Sequence, residues 1–127
     1  MQERSSAQQS RDKWAAANPK KKQAINARWR TKNRSKVFGY HLQREYGISL
    51  EQYDSMYSES GGQCGICKNR IAHGLEPNVK VGLKACVDHC HTTGRVRGLL
   101  CHYCNRSLAF LEAHKDAALT YLQKETA

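Results

Sequence analysis

A mostly helical α+β fold pinned by a structural zinc is the class this sequence predicts, on three observations. Cys64/Cys67 and Cys101/Cys104 form two Cys-x-x-Cys pairs, four soft ligands that complete a tetrahedral site unaided. Between the pairs, residues 84–88 and 95–100 read as short strands, and Thr92-Thr93-Gly94 is the turn that joins them. On both sides of this hairpin, apolar residues recur at helical spacing. The element order is helix, helix, knuckle, hairpin, helix, helix.

A chain of 127 residues, 39% of them hydrophobic, is one domain plus an extension with a modest core. Bound zinc, with an apparent free energy of roughly 10–16 kcal/mol in small sites, offsets that shortage. The net charge of +10 is uneven: residues 1–48 hold twelve Lys/Arg against three Asp/Glu, and residues 49–127 hold nine against eight. Residues 1–48 are therefore read as a basic helical DNA-gripping extension, and 49–127 as the zinc-stapled domain. Such charge suits an anionic polymer, nucleic acid first, although a solvated helix face accounts for it too. No apolar run reaches the roughly 18 residues of a membrane span, and the N-terminus has no signal-peptide core. A cytoplasmic protein without membrane contact is expected. In that reducing compartment six cysteines indicate metal ligands or buried thiols rather than disulfides.

Residues 1–17 are polar and are expected to fray or to become helical only on a partner. Asn18-Pro19 starts a helix through the basic stretch PKKKQAINARWRTKNRSK, with Ile25 and Trp29 on one face. Trp29 either stacks on a base or covers the core, and the core is taken as its place. Residues 37–46 continue as helix, with Val37, Tyr40, Leu42 and Tyr46 as the buried side, and Gly47 stops it. Ser49 and Gln52 form a capping box ahead of Tyr53, Met56 and Tyr57, all read as core, and Gly61-Gly62 ends that helix. Gly65 lets the backbone of the first knuckle turn around its metal, and residues 71–81 read as a loop marked by Gly74 and Pro77. After the hairpin, Cys104, Leu108 and Leu111 share a helical face; after a break near 112–115, a last helix from Asp116 is expected to bury Leu119 and Leu122. Cys86 reads as a small buried hydrophobe, and His73, Cys90 and His91 supply an alternative ligand set.

The stretch VDHCHTTGRVRGLLCHYCN carries a second chemistry. Hydrolysing a phosphodiester needs a cation to screen the phosphate and a base to activate water. Asp88 with the amide oxygen of Asn105 makes a hard-oxygen site for Mg²⁺ or Mn²⁺. His89 is the base, because imidazole ordinarily titrates at about pH 6.5. Arg95 and Arg97 are placed to hold phosphate, and Lys20, Lys21, Lys22, Arg28, Arg30, Lys32 and Arg34 to grip a DNA backbone. Successive residues of a regular strand face opposite ways, so Asp88 and His89 serve one site only if the strand ends or bulges there.

CGIC followed by VDHCHTTGRVRGLLCHYCN resembles the phage recombination endonuclease VII family, a zinc-knuckled branch of the HNH or His-Me finger nucleases. The likeness runs from about residue 63 to residue 111, and EYGISLEQYDSMYSESGGQC is similar to that family's helix leading into the knuckle. It implies a ββα-metal finger core, with Asp88 and Asn105 as ligands of the catalytic ion and His89 as general base. His91, the second histidine of the motif, would contact phosphate or support the site. It also implies cutting of branched DNA such as four-way junctions by a homodimer, although little chain follows Asn105 to build an extensive dimer. The competing function is a non-catalytic zinc module that binds nucleic acid, which leaves Asp88, His89 and Asn105 no common task.

Overall fold

Asn18 and Pro19 divide the N-terminal segment into two helices. The computed structural model describes residues 3–125. Helix α1 (Ser6–Ala17) is capped by Ser5, whose Oγ accepts from the Gln8 amide at 3.3 Å. An Arg4–Asp12 ion pair at 3.0 Å adds to it. Fraying of residues 1–17 is thus corrected over Ser6–Ala17, where the cap gives the polar sequence a regular start; Met1 and Gln2 lie outside the described residues. Helix α2 (Pro19–Lys32) begins at the proline as anticipated. Asn18 makes no side-chain cap to α2 and instead donates its Nδ2 to the Trp14 carbonyl at 2.9 Å, closing α1. Nothing on α2 is buried, and Trp29 is 49% exposed. The core role of Trp29 is therefore overturned: with charge at six of its positions, α2 has no apolar stripe wide enough to bury.

The second compact unit begins at Phe38, upstream of the compositional boundary near Ser49. Its first helical residues belong to α3 (Arg34–Tyr46), where Phe38, Leu42 and Tyr46 recur every four residues on the packed side and Leu42 is fully buried. Tyr40, expected inside, is exposed, being half a turn from that row. Gly47 at φ 68° ends the helix. Helix α4 (Leu50–Ser60) carries the full capping box, with Ser49 Oγ accepting from the Gln52 amide at 3.1 Å and Gln52 Oε1 accepting from the Ser49 amide at 2.8 Å. Tyr53 is buried, and Met56 and Tyr57 pack beside it. The two tyrosines fasten the following loop: the Tyr57 hydroxyl donates to the Ile71 carbonyl at 3.0 Å, and the Gly74 amide donates to the Tyr53 hydroxyl at 3.0 Å. Ile71 and Ala72 are buried as a result.

Strands β1 (Cys86–His89) and β2 (Val96–Leu100) form an antiparallel hairpin, closed by a turn with Gly94 at φ 73°. Val87, Leu99 and Leu100 join Leu42, Tyr53, Cys64, Ile71 and Cys104 in one core. Lys84 precedes β1 and bridges to Ala72 in parallel, which ties the loop to the sheet. Helix α5 (His102–Leu122) is one element kinked at His114, where φ is −127°, within the anticipated break. Leu111, Leu119 and Leu122 are exposed rather than buried, because the packed face of α5 ends at Leu108. No helix among the described residues is long and apolar enough to cross a membrane.

Gly74 sits against the Phe38 ring, and a Cβ there would lie 2.4 Å from its Cζ. Phe38 cannot give way freely, since Tyr53 stacks edge-on at 5.0 Å. Gly74→Ala should therefore destabilise the fold by about 1–3 kcal/mol in denaturant titration, the usual cost of overpacking.

Candidate active site and metal centre

The sulfurs of Cys64, Cys67, Cys101 and Cys104 lie within 4.8 Å of one another. Two short motifs bring them there. Gly65 allows the first knuckle to run against the end of β2, where its amide donates to the Leu99 carbonyl at 3.0 Å and a Cβ would come within 3.3 Å of Leu100. The second pair is built by the start of α5: Cys101 is the N-cap, and its Sγ accepts from the Cys104 amide at 3.3 Å. The Cys67 and Cys101 sulfurs are 3.8 Å apart. Zinc–sulfur bonds of about 2.3 Å in a tetrahedron require a spacing of about 3.8 Å, so the cluster fits zinc.

Electrostatics within the cluster favour a cation. Burial raises the Cys64 thiol, but backbone amides at Cys101, Ile66 and Cys67 together with the Cys67 thiol outweigh it and bring it down to about 6. Burial and the neighbouring thiols push Cys104 up to about 12. One thiolate forms readily and the last is opposed by its neighbours, a conflict that a divalent ion removes. The alternative ligands lie outside the cluster. His73 is engaged elsewhere, its Nε2 2.7 Å from Asp54 Oδ1 and its Nδ1 accepting from the Leu75 amide at 3.0 Å. Cys86 is half-buried near His102, with burial pushing its thiol up. Cys90 is lowered to about 7, chiefly by its bond with the Thr93 hydroxyl.

Asp88 and His89 stand at the end of β1, and a register shift falls between them, as the sequence required. Asp88 pairs with Gly98 but His89 with Val96, so Arg97 is the extra residue of the bulge. The Arg97 side chain reaches Asp88 in a bidentate pair: Nε donates to Oδ2 at 2.8 Å and Nη2 to Oδ1 at 3.0 Å. Its Nη1 also donates to Glu112 of α5 at 2.6 Å, and Nη2 to the His89 carbonyl at 3.4 Å. The carboxylates of Asp88 first, then Glu112, push the guanidinium further up than usual. Asp88 is only 7% exposed and lies in a cleft of about 290 Å³ with Gly65, Ile66 and Leu108. His89 lies with its ring 5.7 Å from Tyr46 and 4.8 Å from the exposed His91. Asn105 is half-buried one turn into α5, the helix that packs on β1.

Each Asp88 oxygen keeps a lone pair beyond the one given to Arg97, a hard donor of the kind Mg²⁺ takes, while neither Asn105 nor His89 lines the cleft that holds Asp88. Arg95 is exposed and makes no ion pair among the described residues, whereas Arg97 is committed to two carboxylates. Lys20, Lys21, Lys22, Arg28, Arg30 and Lys32 all lie exposed on α2, and Arg34 opens α3. Sequence reasoning missed Glu112, although it stands seven residues after Asn105 and hence on the same helical face. Tyr46 beside His89 was taken as core alone.

A family model described as recombination endonuclease VII matches residues 39–124, which include the four cysteines, Asp88, His89 and Asn105. The chain belongs to the recombination endonuclease VII family. It is similar to the Gene 59 protein of Mycobacterium phage D29, with 44% identity over 61 residues, 48% of this chain and 32% of that protein. The Gene 59 protein of Mycobacterium phage L5 is 37% identical over 78 residues, 61% of this chain and 43% of its own length. The chain thus spans less than half of either relative. No solved structure matches it. Helices α1 and α2 lie outside the endonuclease VII match.

Two outcomes follow for this endonuclease VII family core. Purified protein should carry one zinc per chain by elemental analysis, and Cys67→Ala should lose both the metal and the cooperative thermal transition. Arg97→Gln should lower the urea unfolding midpoint, because the buried Asp88 carboxylate loses its bidentate partner; an unchanged midpoint would show that the pair is not formed in solution.

Proposed function

We propose that the chain is a metal-dependent DNA endonuclease of the His-Me finger type. The observation that carries this reading is the end of β1 at Asp88 and His89, where the register against β2 shifts and regular pairing stops. Support also comes from the order β1, β2, α5, a strand-strand-helix unit stapled at the helix start by the cysteine cluster.

Asp88 and the amide oxygen of Asn105 would hold Mg²⁺ or Mn²⁺, which supplies charge screening on the phosphate and the leaving oxygen. His89 takes a proton from water as its oxygen attacks phosphorus, and the bond from phosphorus to the leaving oxygen breaks. The ring of Tyr46 limits where the imidazole can turn. His91 and Arg95 meet phosphate oxygens at the exposed end of the hairpin. Arg97 keeps Asp88 oriented, and its link to Glu112 fixes β2 to α5. The basic residues from Lys20 to Arg34 grip the DNA backbone by counterion release. The zinc does no chemistry; it aims Asn105, the residue next to Cys104.

Supercoiled plasmid with Mg²⁺ should be nicked by the parent protein, and His89→Ala should cut about 10²–10⁴-fold more slowly, the range for removing a general base. Equal cutting by the two proteins would remove His89 from the mechanism. Branched DNA as substrate and a homodimer as assembly form part of the same proposal. A four-way junction cut in preference to linear duplex of the same sequence, by a species of twice the chain mass, is the outcome that supports them.

A further inference from the structure

Helix α2 carries an exposed aromatic residue where its own chemistry gives no structural reason for one. Trp29 is 49% exposed and Ile25, one turn before it, 54%. The pair does not stand alone on its face. Lys21 and Lys22 lie one turn before Ile25, Arg28 is adjacent to Trp29, and Lys32 lies one turn beyond it. Read along the axis, this face runs cation, apolar, aromatic, cation over about 16 Å at 1.5 Å per residue. The helix has no acidic residue, and none of its cations makes an ion pair among the described residues. Asn33 ties the end of α2 through its amide and its Nδ2 to the Trp29 carbonyl at 2.9 and 2.8 Å. The backbone of Trp29 is thereby held while the indole faces solvent.

We infer that this face of α2 is a stacking platform for unpaired nucleotides of a DNA strand, with Trp29 as the stacking residue. Lysines and arginines alone bind the phosphates of duplex and single strand alike. A flat indole distinguishes them, because base faces inside a duplex are covered by their neighbours and only an unpaired base has a face to offer. The interleaving of cations with the ring is the arrangement that engages backbone and base together. An arginine beside the ring also lets the guanidinium stack. The proposal rests on the reading of the protein as one that acts on DNA, and it specifies the feature α2 selects: single-stranded character at a gap, flap or branch. The residues involved lie outside the part matched by the family.

The test uses the full chain without added Mg²⁺, a 20-nucleotide single strand of thymidines, and a blunt duplex of the same length. Trp14→Phe leaves Trp29 as the sole tryptophan, and its emission should be quenched by the single strand and little changed by the duplex. Trp29→Ala should weaken single-strand binding about 10- to 100-fold, the span of one lost base stack, and alter duplex binding less than about twofold. Trp29→Phe should restore most of the loss, which a merely structural role would not require. Retained single-strand affinity in Trp29→Ala, or equal quenching by both DNAs, overturns the stacking role while leaving the nuclease reading intact. A parent protein that binds neither DNA overturns both. A mass of two chains that falls to one in Trp29→Ala, with single-strand binding unchanged, assigns the face to a second copy and also overturns the proposal.

Discussion

Four sulfurs held within 4.8 Å of one another are the constraint on which this fold depends. The core around them is small, and the only sheet among the described residues is a two-stranded hairpin, which is marginal by itself in water. The cluster joins three things that weak packing would leave independent: the loop after α4, the end of β2 and the first turn of α5. Cys64 and Cys104 are buried where these meet, and both belong to the apolar core as well as to the ligand set. Metal binding and hydrophobic burial would then be one cooperative event, since Cys64 and Cys104 share their core with Leu99 and Leu100.

The polar site is built on the same elements one residue out of step. Asn105 follows Cys104 directly, so whatever fixes the cysteine fixes the asparagine. Asp88 lies on β1 opposite Gly98, the bulge in β2 makes Arg97 the extra residue beside it, and β1 ends at the next residue, His89. Arg97 then joins β1, β2 and α5 through Asp88, the His89 carbonyl and Glu112. A buried carboxylate with no cation would be costly, and the guanidinium supplies the compensating charge within the protein itself. In the proposed mechanism stability and function would compete for Asp88, because the oxygens that satisfy Arg97 are those a hard cation would use.

Local chemistry made much of this legible. The capping box at Ser49, the stops at Gly47 and Gly61, the hairpin turn at Gly94 and the four cysteines each follow from a rule acting over a few residues. An end or bulge of the strand at Asp88 and His89 was legible too, and β1 stops there with a register shift. Misreadings arose where burial depends on residues far apart in sequence. Tyr40, Trp29, Leu119 and Leu122 look like core residues by type, yet exposure is decided by whether another element arrives, and periodicity within one helix cannot say that. Polar composition in α1 hid a helix that needed only a serine cap. The Arg97–Glu112 link escaped notice because it joins residues fifteen apart, from a strand to a helix.

Charge and chemistry are divided along the chain in a way that bears on substrate choice. The region matched by the family starts at residue 39 and is nearly balanced in charge, while α2 alone contributes six cations and no acid. A site whose Arg97 is engaged by two carboxylates and that has few free cations has little means of holding a polyanion for long. On the proposed DNA-gripping role, a basic helix in the same chain would supply that retention, because tethering makes the second contact intramolecular and raises its effective concentration. Selectivity can then reside in the holding unit rather than in the catalytic cleft. Under the proposed stacking role, the exposed indole among the cations of α2 would then set which DNA is held longest.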